Sequence, residues 1–282
     1  MKLKQILKKA QKEGWAIGQF NFSTFEQLKG ILMAAKKLRS PIILGTSEGE
    51  SKFLGCSVVI PLVYGQIFEL KVNPESVFLN LDHGKNFDWI EKVVKVGYQM
   101  VHFDGSNLSF KENIKRTKKV ADYAKRKGVL VEGELGKIEA VKKGFKIKKE
   151  NLTDPEKVRE FVKKTKVDSL AISIGNLHGI AQKMEKLDFE RLKEIRKKIN
   201  VFLVLHGGSG IPKNEIKKAI KNGISKININ TELRLAWRKS LEKSLRLNKG
   251  EIKPYKILPS VSEAVQKVVE EKIRLFGSYN KI

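Results

Sequence analysis

Three of the four histidines in this 282-residue chain close apolar runs, and a glycine follows each of them. The runs are VFLNLD before His83, SLAISIGNL before His178 and VFLVL before His206. If these runs are strands of one parallel sheet, the imidazoles meet at its carboxyl edge, and three protein ligands with an open position are typical of catalytic zinc. Such an ion can act as a Lewis acid on a carbonyl oxygen. For each histidine alone, the alternative is a polar residue that merely ends a strand.

The fourth histidine and three acidic residues lie in or at the ends of neighbouring apolar runs. His102 is inside QMVHFDG with alternating neighbours, and we interpret it as structural. Asp82, directly before His83, can support a metal ligand or act as an acid/base. Asp104 and Glu134 can bind a second or displaced metal, or pair with nearby lysines.

The turns after two of the apolar runs are rich in small residues. HGGSG at 206–210 precedes a predicted helix that starts near Pro212, so it presents backbone N–H groups at a helix N-terminus, where anions bind. NINT at 228–231 offers amide and hydroxyl donors. Because parallel barrels often bind phosphate after strands 7 and 8, this pattern predicts a phosphate site. An ordinary strand–helix turn is the alternative, since glycine-rich turns alone are weak evidence.

Strand-like and helix-like patterns alternate along the chain and indicate the elements that position these side chains. The predicted strands are WAIGQFNF, PIILGTS, VFLNLD, QMVHFDG, VLVEGELG, SLAISIG, VFLVLH and ISKININ. Each is followed by a helical pattern, such as the one over about 52–71 after the second strand. A short basic helix is predicted at about 3–13 and a final one at about 260–276.

Eight strand–helix units predict an α/β protein with a (β/α)8 TIM barrel as a single domain over residues 1–282, with an N-terminal helix and an extra C-terminal helix. The strands are short and apolar almost throughout, as expected when both faces are buried. An open doubly wound sheet is the alternative, but no G-x-G-x-x-G turn follows the first strand.

The composition limits the partners. The net charge is +26, but the lysines are spread over nearly every predicted helix and are not clustered with aromatic residues, so we expect no nucleic acid partner. Cys56 is the only cysteine, which excludes an intrachain disulfide and a thiolate zinc site. No apolar run approaches the length of about 18 residues that suggests a membrane span, and no secretory signal is present. We therefore expect no membrane partner and a cytoplasmic location.

Taken together, the motifs resemble those of the class II, zinc-dependent fructose-bisphosphate and tagatose-bisphosphate aldolases. The matching segments are GTSEGESKF, LDHG, FDGS, VEGELG, GNLHG, VLHGGSG, NINT and FGSYNK, in chain order. The resemblance implies reversible retro-aldol cleavage of fructose 1,6-bisphosphate to dihydroxyacetone phosphate and glyceraldehyde 3-phosphate, as in glycolysis and gluconeogenesis. Tagatose 1,6-bisphosphate is the alternative substrate. The resemblance also implies a homodimer or homotetramer.

Carried over residue by residue, the resemblance implies roles in this sequence. Asp82 would exchange a proton with the C4 hydroxyl group of the substrate. The zinc ligands would be His83, His178 and His206, and a second divalent metal would lie at Asp104 and Glu134. The site for dihydroxyacetone phosphate, often with a monovalent cation (Na+ or K+) nearby, would comprise Gly179, Gly207, Gly208, Ser209, Asn228, Asn230 and Thr231. The pocket would also be lined by Asn21 and Ser47.

The loop after the fifth strand departs from the family pattern, in which a glycine pair precedes acids, one of which moves protons on the bound triose. Here the loop reads ELGKIEAVKKGFKIKK, with Lys142 at the position of that acid and Glu139 as the only carboxylate before Glu150. Either Glu139 substitutes, or the proton shuttle differs, or activity is reduced, or the loop simply varies among subfamilies. A zinc-binding phosphosugar-binding barrel with reduced aldolase activity is therefore an alternative function.

Overall fold

The computed structural model describes residues 2–141, 148–180 and 186–282. Within these residues eight parallel strands pair in chain order, and the last pairs with the first, so the sheet closes into a barrel. The strands are β1 Ile17–Asn21, β2 Ile42–Ser47, β3 Val77–Gly84, β4 Met100–Phe103, β5 Leu130–Leu135, β6 Ser169–Ile172, β7 Phe202–Leu205 and β8 Ile224–Ile229. The predicted (β/α)8 fold is confirmed.

Helices surround the barrel and include the predicted terminal ones. The helices are α1 Leu3–Glu13, α2 Phe25–Leu38, α3 Glu48–Leu54, α4 Cys56–Leu70, α5 Phe87–Val96, α6 Phe110–Arg126, α7 Pro155–Thr165, α8 Phe189–Lys198, α9 Lys213–Lys221, α10 Thr231–Leu247, α11 Pro254–Ile257 and α12 Pro259–Phe276. Short 3-10 helices lie at Pro74–Ser76 and Lys149–Asn151.

The side chains inside the barrel change from apolar to polar along the strands. At the amino end, apolar residues of the strands pack against one face of α1 and seal the barrel; they include Ile17, Ile43, Phe78, Met100 and Phe202. Two positions further along, the buried side chains are polar or charged: Gln19, Asn80, His102, Glu132 and Lys226. Since side chains two apart on a strand share a face, this polar interior leads to the carboxyl end of the barrel, where the site was expected.

The single helix predicted over about 52–71 is two helices in the structure. Gly55 separates α3 from α4 with φ of +79°, a backbone conformation that glycine adopts without steric cost. The two helices meet at a bend of 79°. No described helix by itself is long and apolar enough to cross a membrane, although this bent pair meets the length and composition limits when its members are joined.

The first and last helices of the outer layer pack closely because α2 has a glycine at their contact. A Cβ atom at Gly30 would lie 2.5 Å from the carbonyl oxygen of Ser262 and 3.0 Å from Cβ of Val265, both on α12. The same added atom at Gly65, on the exposed side of α4, would meet nothing within 4 Å. The chain therefore closes its ring of helices through a backbone contact that no other residue type permits.

We expect Gly30→Leu to destabilise the fold by about 1–3 kcal/mol, the usual cost of overpacking, because α2 must move away from α12. Gly65→Leu is the matched control, and it should be neutral or stabilising by up to about 1 kcal/mol because it raises helix propensity without a clash. Urea denaturation of the two variants measures the free energies of unfolding. Equal stabilities would show that the α2–α12 contact adapts without cost.

Candidate active site

The end of β3 is irregular, and this irregularity brings two consecutive side chains to one place. The pairing of β3 with β4 shifts between Leu81 and Gly84, and His83 has φ of +49°. In a regular strand Asp82 and His83 would face opposite sides, but both line a cavity of about 370 Å³ at the carboxyl end of the barrel. A non-glycine residue in the left-handed region is strained, and such strain is concentrated at functional sites.

His83 and His206 face each other through one nitrogen each and present the other nitrogen to a carboxylate. His83 Nε2 and His206 Nδ1 are 3.0 Å apart. The outer nitrogens lie 3.0 Å from Asp104 Oδ2 and 2.7 Å from Glu132 Oε1, respectively. Carboxylates on the outer nitrogens of imidazoles are typical of metal-binding histidines, because they fix the tautomer and raise ligand basicity. The donor set therefore fits a divalent metal between the two inner nitrogens.

His178 stands on the far side of the same space. Its ring centroid lies 4.8 Å from that of His83 and 6.2 Å from that of His206. Among the described residues, the ligand atoms that approach within 4.8 Å of one another belong to two groups, Asp82 with His83, His102 and His206, and His83 with Asp104 and Glu134. The structure thus brings the three predicted zinc ligands around one space, with His178 the furthest out.

The surroundings shift the pKa values of the three predicted zinc ligands in different directions. Burial, together with nearby His83 and His206, lowers the pKa of His178 to about 4, and burial lowers the pKa of His206 as well. Burial opposes protonation of His83 too, but Asp82 and the hydrogen bond to Asp104 outweigh it and raise its pKa. Despite its burial, the pKa of Asp82 is held well below its usual range by the charge of His83, by a hydrogen bond with His102 and by the charge of His206. At neutral pH the lowered pKa values therefore leave His178 and His206 neutral beside an ionised Asp82, while His83 keeps its proton to higher pH than a free imidazole.

Asp82, the predicted acid/base, is held by two amide groups, one from β1 and one from β8. Its Oδ2 accepts a hydrogen bond from Asn21 Nδ2 at 3.0 Å, and its Oδ1 accepts one from Asn228 Nδ2 at 3.0 Å. Asn21 fits because β2 has a glycine beside it, where a Cβ atom of Gly45 would lie 2.2 Å from Asn21 Oδ1. The carboxylate is therefore fixed in one orientation beside His83.

A buried ion pair that no sequence motif indicated lies beneath the site. Glu132 and Lys226 are fully buried, and Lys226 Nζ donates to Glu132 Oε2 at 2.9 Å and to Asn228 Oδ1 at 2.9 Å. Lys226 thereby directs the amide nitrogen of Asn228 toward Asp82, while Glu132 holds His206. The available signal was the period of two, since Glu132 and Lys226 precede the predicted site residues Glu134 and Asn228 by two positions.

His102 lies within the cluster. Its Nδ1 accepts a hydrogen bond from the backbone N–H of His83 at 3.0 Å, so it holds the strained backbone of that predicted zinc ligand. Its Nε2 is 3.4 Å from Glu134 Oε2, which is buried and has no hydrogen-bond partner among the described residues. The hydrogen bond with His83 agrees with the structural role that we predicted for His102. His102 nevertheless lies among the site residues Asp82, His83 and His206. Asp104 and Glu134, predicted for a second metal, both flank His83 Nδ1, at 3.0 and 4.0 Å.

The predicted phosphate residues form one wall of the cavity, with an exception. The cavity is lined by Gly179, Gly207, Ser209, Asn228, Asn230 and Thr231, and also by the predicted Asn21 and Ser47. Gly207 has φ of +63°, and a Cβ atom there would lie 2.1 Å from the carbonyl oxygen of Leu177, so only glycine fits. Gly208 does not line the cavity, and its N–H already donates to the carbonyl oxygen of Asn228 at 3.0 Å. The N–H of Gly208 is therefore engaged within the protein, and a contact of this residue with a phosphate stays a prediction.

The loop after β5 lies against the end of β6. The N–H of His178 donates to the carbonyl oxygen of Glu139, and the N–H of Val141 donates to that of His178, both at 2.8 Å. The carboxylate of Glu139 accepts from Asn151 Nδ2 at 2.7 Å, and this residue does not line the cavity, although its neighbours Ile138 and Ala140 do. Lys142 and Lys143 lie outside the described residues. Ser106, at the end of the FDGS motif, also lines the cavity, and lining residues that sequence reasoning missed are Lys85, Asn107, Lys137 and Arg234.

We expect the double variant Glu132→Gln/Lys226→Met to bind zinc about 10–100-fold more weakly, the usual cost of losing a carboxylate behind a histidine ligand. Removing both charges avoids leaving either one buried and unpaired. Asp168→Asn/Lys4→Met is the matched control, since it removes a lysine–carboxylate pair of the same 2.9 Å length at the amino end of β6. Competition with a chromophoric chelator measures both affinities, and an equal loss in both variants would contradict a specific role.

Zinc affinity should rise with pH because the raised pKa of His83 means that this ligand must release a proton. Below that pKa we expect a gain of about tenfold per pH unit, and above it a plateau. Asp104→Asn removes a group that stabilises the His83 cation, so the rise should move to lower pH. Calorimetry in buffers of different ionisation enthalpy counts the released protons, and zinc uptake without proton release at about pH 6 would contradict the expectation.

Comparison with known proteins agrees with this geometry. The chain matches the family described as fructose-bisphosphate aldolase class-II over residues 1–281. It is 39% identical over 280 residues to the sulfofructosephosphate aldolase of Alkalicoccus urumqiensis, covering 99% of this chain and 96% of that one. It is 36% identical over 280 residues to the fructose-bisphosphate aldolase of Staphylococcus aureus, covering 99% and 98%. The crystal structure of the YdjI aldolase from Escherichia coli K12 matches with a TM-score of 0.85 and 32% identity, over 99% and 98% of the two chains. The chain therefore belongs to the class II fructose-bisphosphate aldolase family of lyases.

Proposed function

We propose that this aldolase reversibly cleaves the C3–C4 bond of a ketose 1-phosphate and releases dihydroxyacetone phosphate. Fructose 1,6-bisphosphate, which also yields glyceraldehyde 3-phosphate, is the first candidate substrate, and tagatose 1,6-bisphosphate, which differs in configuration at C4, is the second. The observation that carries the proposal is the ionised Asp82, held by two amides beside the facing nitrogens of His83 and His206 and across the cavity from glycine turns.

His83, His178 and His206 are the proposed zinc ligands. Two of them already have carboxylates on their outer nitrogens, which leaves the inner nitrogens for the ion. When bound, zinc supplies a Lewis acid that polarises the C2 carbonyl group and stabilises the negative charge that develops on the triose. Asp104 and Glu134 are proposed for a second divalent position, since both flank the outer nitrogen of His83.

Asp82 is the proposed base. Cleavage of the C3–C4 bond converts the C4 hydroxyl group into an aldehyde, so its proton must leave as the bonding electrons pass to C3. The lowered pKa of Asp82 keeps the carboxylate ionised and able to accept this proton at neutral pH. Asn21 and Asn228 hold the two oxygens and so fix the direction of the transfer. In the condensation direction the same carboxyl group returns the proton.

The C1 phosphate is proposed to bind the wall formed by Gly179, Gly207, Ser209 and Thr231. The left-handed conformations of Gly179 and Gly207 turn the backbone at this wall, with φ of +112° and +63°. Gly208 packs behind this wall and donates its N–H to the backbone of Asn228, so we propose that it supports the phosphate site from behind. The net charge of +26 attracts anionic substrates over long range, and a monovalent cation (Na+ or K+) near the phosphate belongs to the same proposal.

A zinc-binding, phosphosugar-binding barrel with reduced activity is the second candidate, and the loop after β5 favours it. In the described part of this loop, Glu139 is directed to Asn151 and away from the cavity. If no other group moves the proton at C3 of dihydroxyacetone phosphate, exchange of that proton with solvent will be absent. For the cellular context we propose the cytoplasm and a homodimer or homotetramer, whose size light scattering measures directly.

We expect the zinc-loaded protein to cleave a ketose 1-phosphate, chelation with EDTA to abolish cleavage and added zinc to restore it. Asp82→Ala should lower kcat by about 100-fold or more with little change in zinc affinity, because it removes the base and leaves the histidines. The assays use fructose 1,6-bisphosphate, tagatose 1,6-bisphosphate and the sulfonated substrate of the Alkalicoccus relative.

The control is Asp168→Asn, a carboxylate of the opposite end of the barrel, which should cleave at the wild-type rate. Cleavage that survives chelation, or that borohydride traps as an imine, would refute the zinc mechanism. Zinc binding without cleavage of any of these sugars, and without proton exchange at C3, would support the phosphosugar-binding alternative.

A further inference from the structure

The wall of the cavity between β1, β2 and β8 contains a carboxylate that the sequence analysis did not single out. Glu50, on the first turn of α3, is only 7% exposed. Its Oε2 accepts the backbone N–H of Ser47 at 2.7 Å and Asn21 Nδ2 at 3.1 Å. Its Oε1 accepts Arg234 Nη2 at 2.7 Å and Asn230 Nδ2 at 3.2 Å. All four of these partner residues line the cavity.

Glu50 accepts more hydrogen bonds than the capping of α3 requires. The reciprocal cap of α3 consists of the Ser47 N–H on Glu50 and the Glu50 N–H on Ser47 Oγ, which occupies a single carboxylate oxygen. The remaining donors are two side-chain amides and a guanidinium group. A backbone N–H, two amides and an arginine are the donors with which proteins bind a phosphate or sulfonate. In this chain, an internal carboxylate occupies that donor set.

The contacts of Glu50 indicate which half of the substrate would lie beside it. Asn21 gives one amide hydrogen to Glu50 and the other to Asp82, so it directly links this carboxylate to the proposed base at the C4 hydroxyl group. The C1 phosphate is assigned to the glycine wall, with Asn230 between that wall and Glu50. Glu50 therefore lies beside the half of the sugar that leaves as the aldehyde.

A second anion at that end would meet the Glu50 carboxylate already bound to these donors. The charge of Arg234 is balanced by Glu50, both amide hydrogens of Asn21 are engaged, and a nearby carboxylate repels a phosphate. Hydroxyl groups of a substrate would be bound more favourably than a second anion, since the Ser47 hydroxyl can still donate a hydrogen bond to them. Asn230 Oδ1 is buried without a hydrogen-bond partner among the described residues and can accept one from a hydroxyl but not from a phosphate dianion.

Two lysines also line the cavity, but they do not distinguish the two ends of the substrate. Lys85 is 63% exposed, with its Nζ 3.9 Å from Asp104, and Lys137 is exposed as well. Neither contacts Glu50 or its four partners in the hydrogen bonds of the described residues. Their charges attract any sugar phosphate, including one with a single phosphate at C1.

We propose that Glu50 fills an anion subsite and so selects ketose 1-phosphates whose far end is an uncharged polyol over those that carry a second phosphate or a sulfonate. This inference rests on the proposed function and narrows its substrate. It makes fructose 1-phosphate a better substrate than fructose 1,6-bisphosphate, with an unphosphorylated aldehyde as the second product.

The test compares kcat/KM of the zinc-loaded enzyme for fructose 1-phosphate, fructose 1,6-bisphosphate and the 6-sulfonate analogue. In the wild type the monophosphate should be preferred. In Glu50→Ala the freed donors should raise the ratio of bisphosphate to monophosphate by about tenfold or more, the size of one charge-assisted hydrogen bond. Most of the change should appear in KM for the bisphosphate. The sulfonate arm shows whether the opened subsite distinguishes the two anions.

Three further variants separate selection from folding. Glu50→Gln retains the cap of α3 and the shape of the side chain while it removes the charge, so it should shift the ratio in the same direction without a loss of stability. Glu50→Ala/Arg234→Met should lose the gain, because the freed guanidinium group is then absent. Glu48→Ala is the matched control on the same turn. It removes a carboxylate that holds the N–H groups of Lys85 and Asn86, and it should leave the ratio unchanged.

A wild-type preference for the bisphosphate, or a parallel fall of both substrates in Glu50→Ala and Glu50→Gln, would overturn the selection by Glu50 while leaving the aldolase function intact. A parallel fall would mean that the carboxylate only ties the loops together. Failure of the zinc-loaded wild type to cleave any of the sugars would instead refute the proposed function, and with it this inference.

Discussion

The site depends on one buried ion pair. Lys226 and Glu132 face each other across the barrel interior with no exposure to solvent, where an unpaired charge would cost several kcal/mol, about 3–5 when a partner is removed. Each ion also makes a second contact that matters for the chemistry, Glu132 with His206 and Lys226 with Asn228. The requirement that both charges be satisfied therefore fixes His206, a proposed metal ligand, and the amide that holds the proposed base.

From this pair a continuous set of hydrogen bonds extends around the carboxyl half of the barrel. Asn228 and Asn21 hold Asp82, Asn21 is in turn held by Gln19, and Gln19 accepts from Asn80. The amino end of the barrel interior does not need such a network of hydrogen bonds, because α1 seals it with apolar side chains. Apolar side chains thus fill the amino end of the barrel, and a preorganised layer of hydrogen-bonded polar side chains fills the part nearer the carboxyl end. The open cavity lies above this polar layer.

Local strain completes the site. A regular β3 would send Asp82 and His83 to opposite faces, and the positive φ of His83 is stabilised by the hydrogen bond that its N–H donates to His102. Elsewhere in the cavity, the carboxylate of Glu50 accepts hydrogen bonds from residues at the ends of β1, β2 and β8 and so holds these ends together. His102 thus holds the strained backbone of His83, and Glu50 holds hydrogen-bond donors at the ends of three strands. Buried side chains of this kind let a rigid barrel position groups that come from distant segments.

The sequence by itself determined the parts of this protein that follow from local pattern. Eight apolar runs with intervening helical periodicity predict the barrel, and residues at the ends of parallel strands must meet at one rim, so His83, His178, His206 and Asp82 could be placed together before any coordinates. Gly207 could be recognised as well, because a strand–helix turn beside a ligand commonly needs a residue without a side chain.

The tertiary structure decided whatever depends on distances across the barrel. Nothing in the local pattern shows that Lys226 reaches Glu132, that Glu50 accepts from Asn21 and Asn230, or that the N–H of Gly208 is already used by Asn228, because each of these contacts joins residues 20 to 180 positions apart. The break at Gly55 and the irregular end of β3 were also hidden, since helical periodicity and strand alternation continue through both. Local sequence specifies which elements form, whereas the closure of the barrel specifies which buried polar groups must satisfy one another.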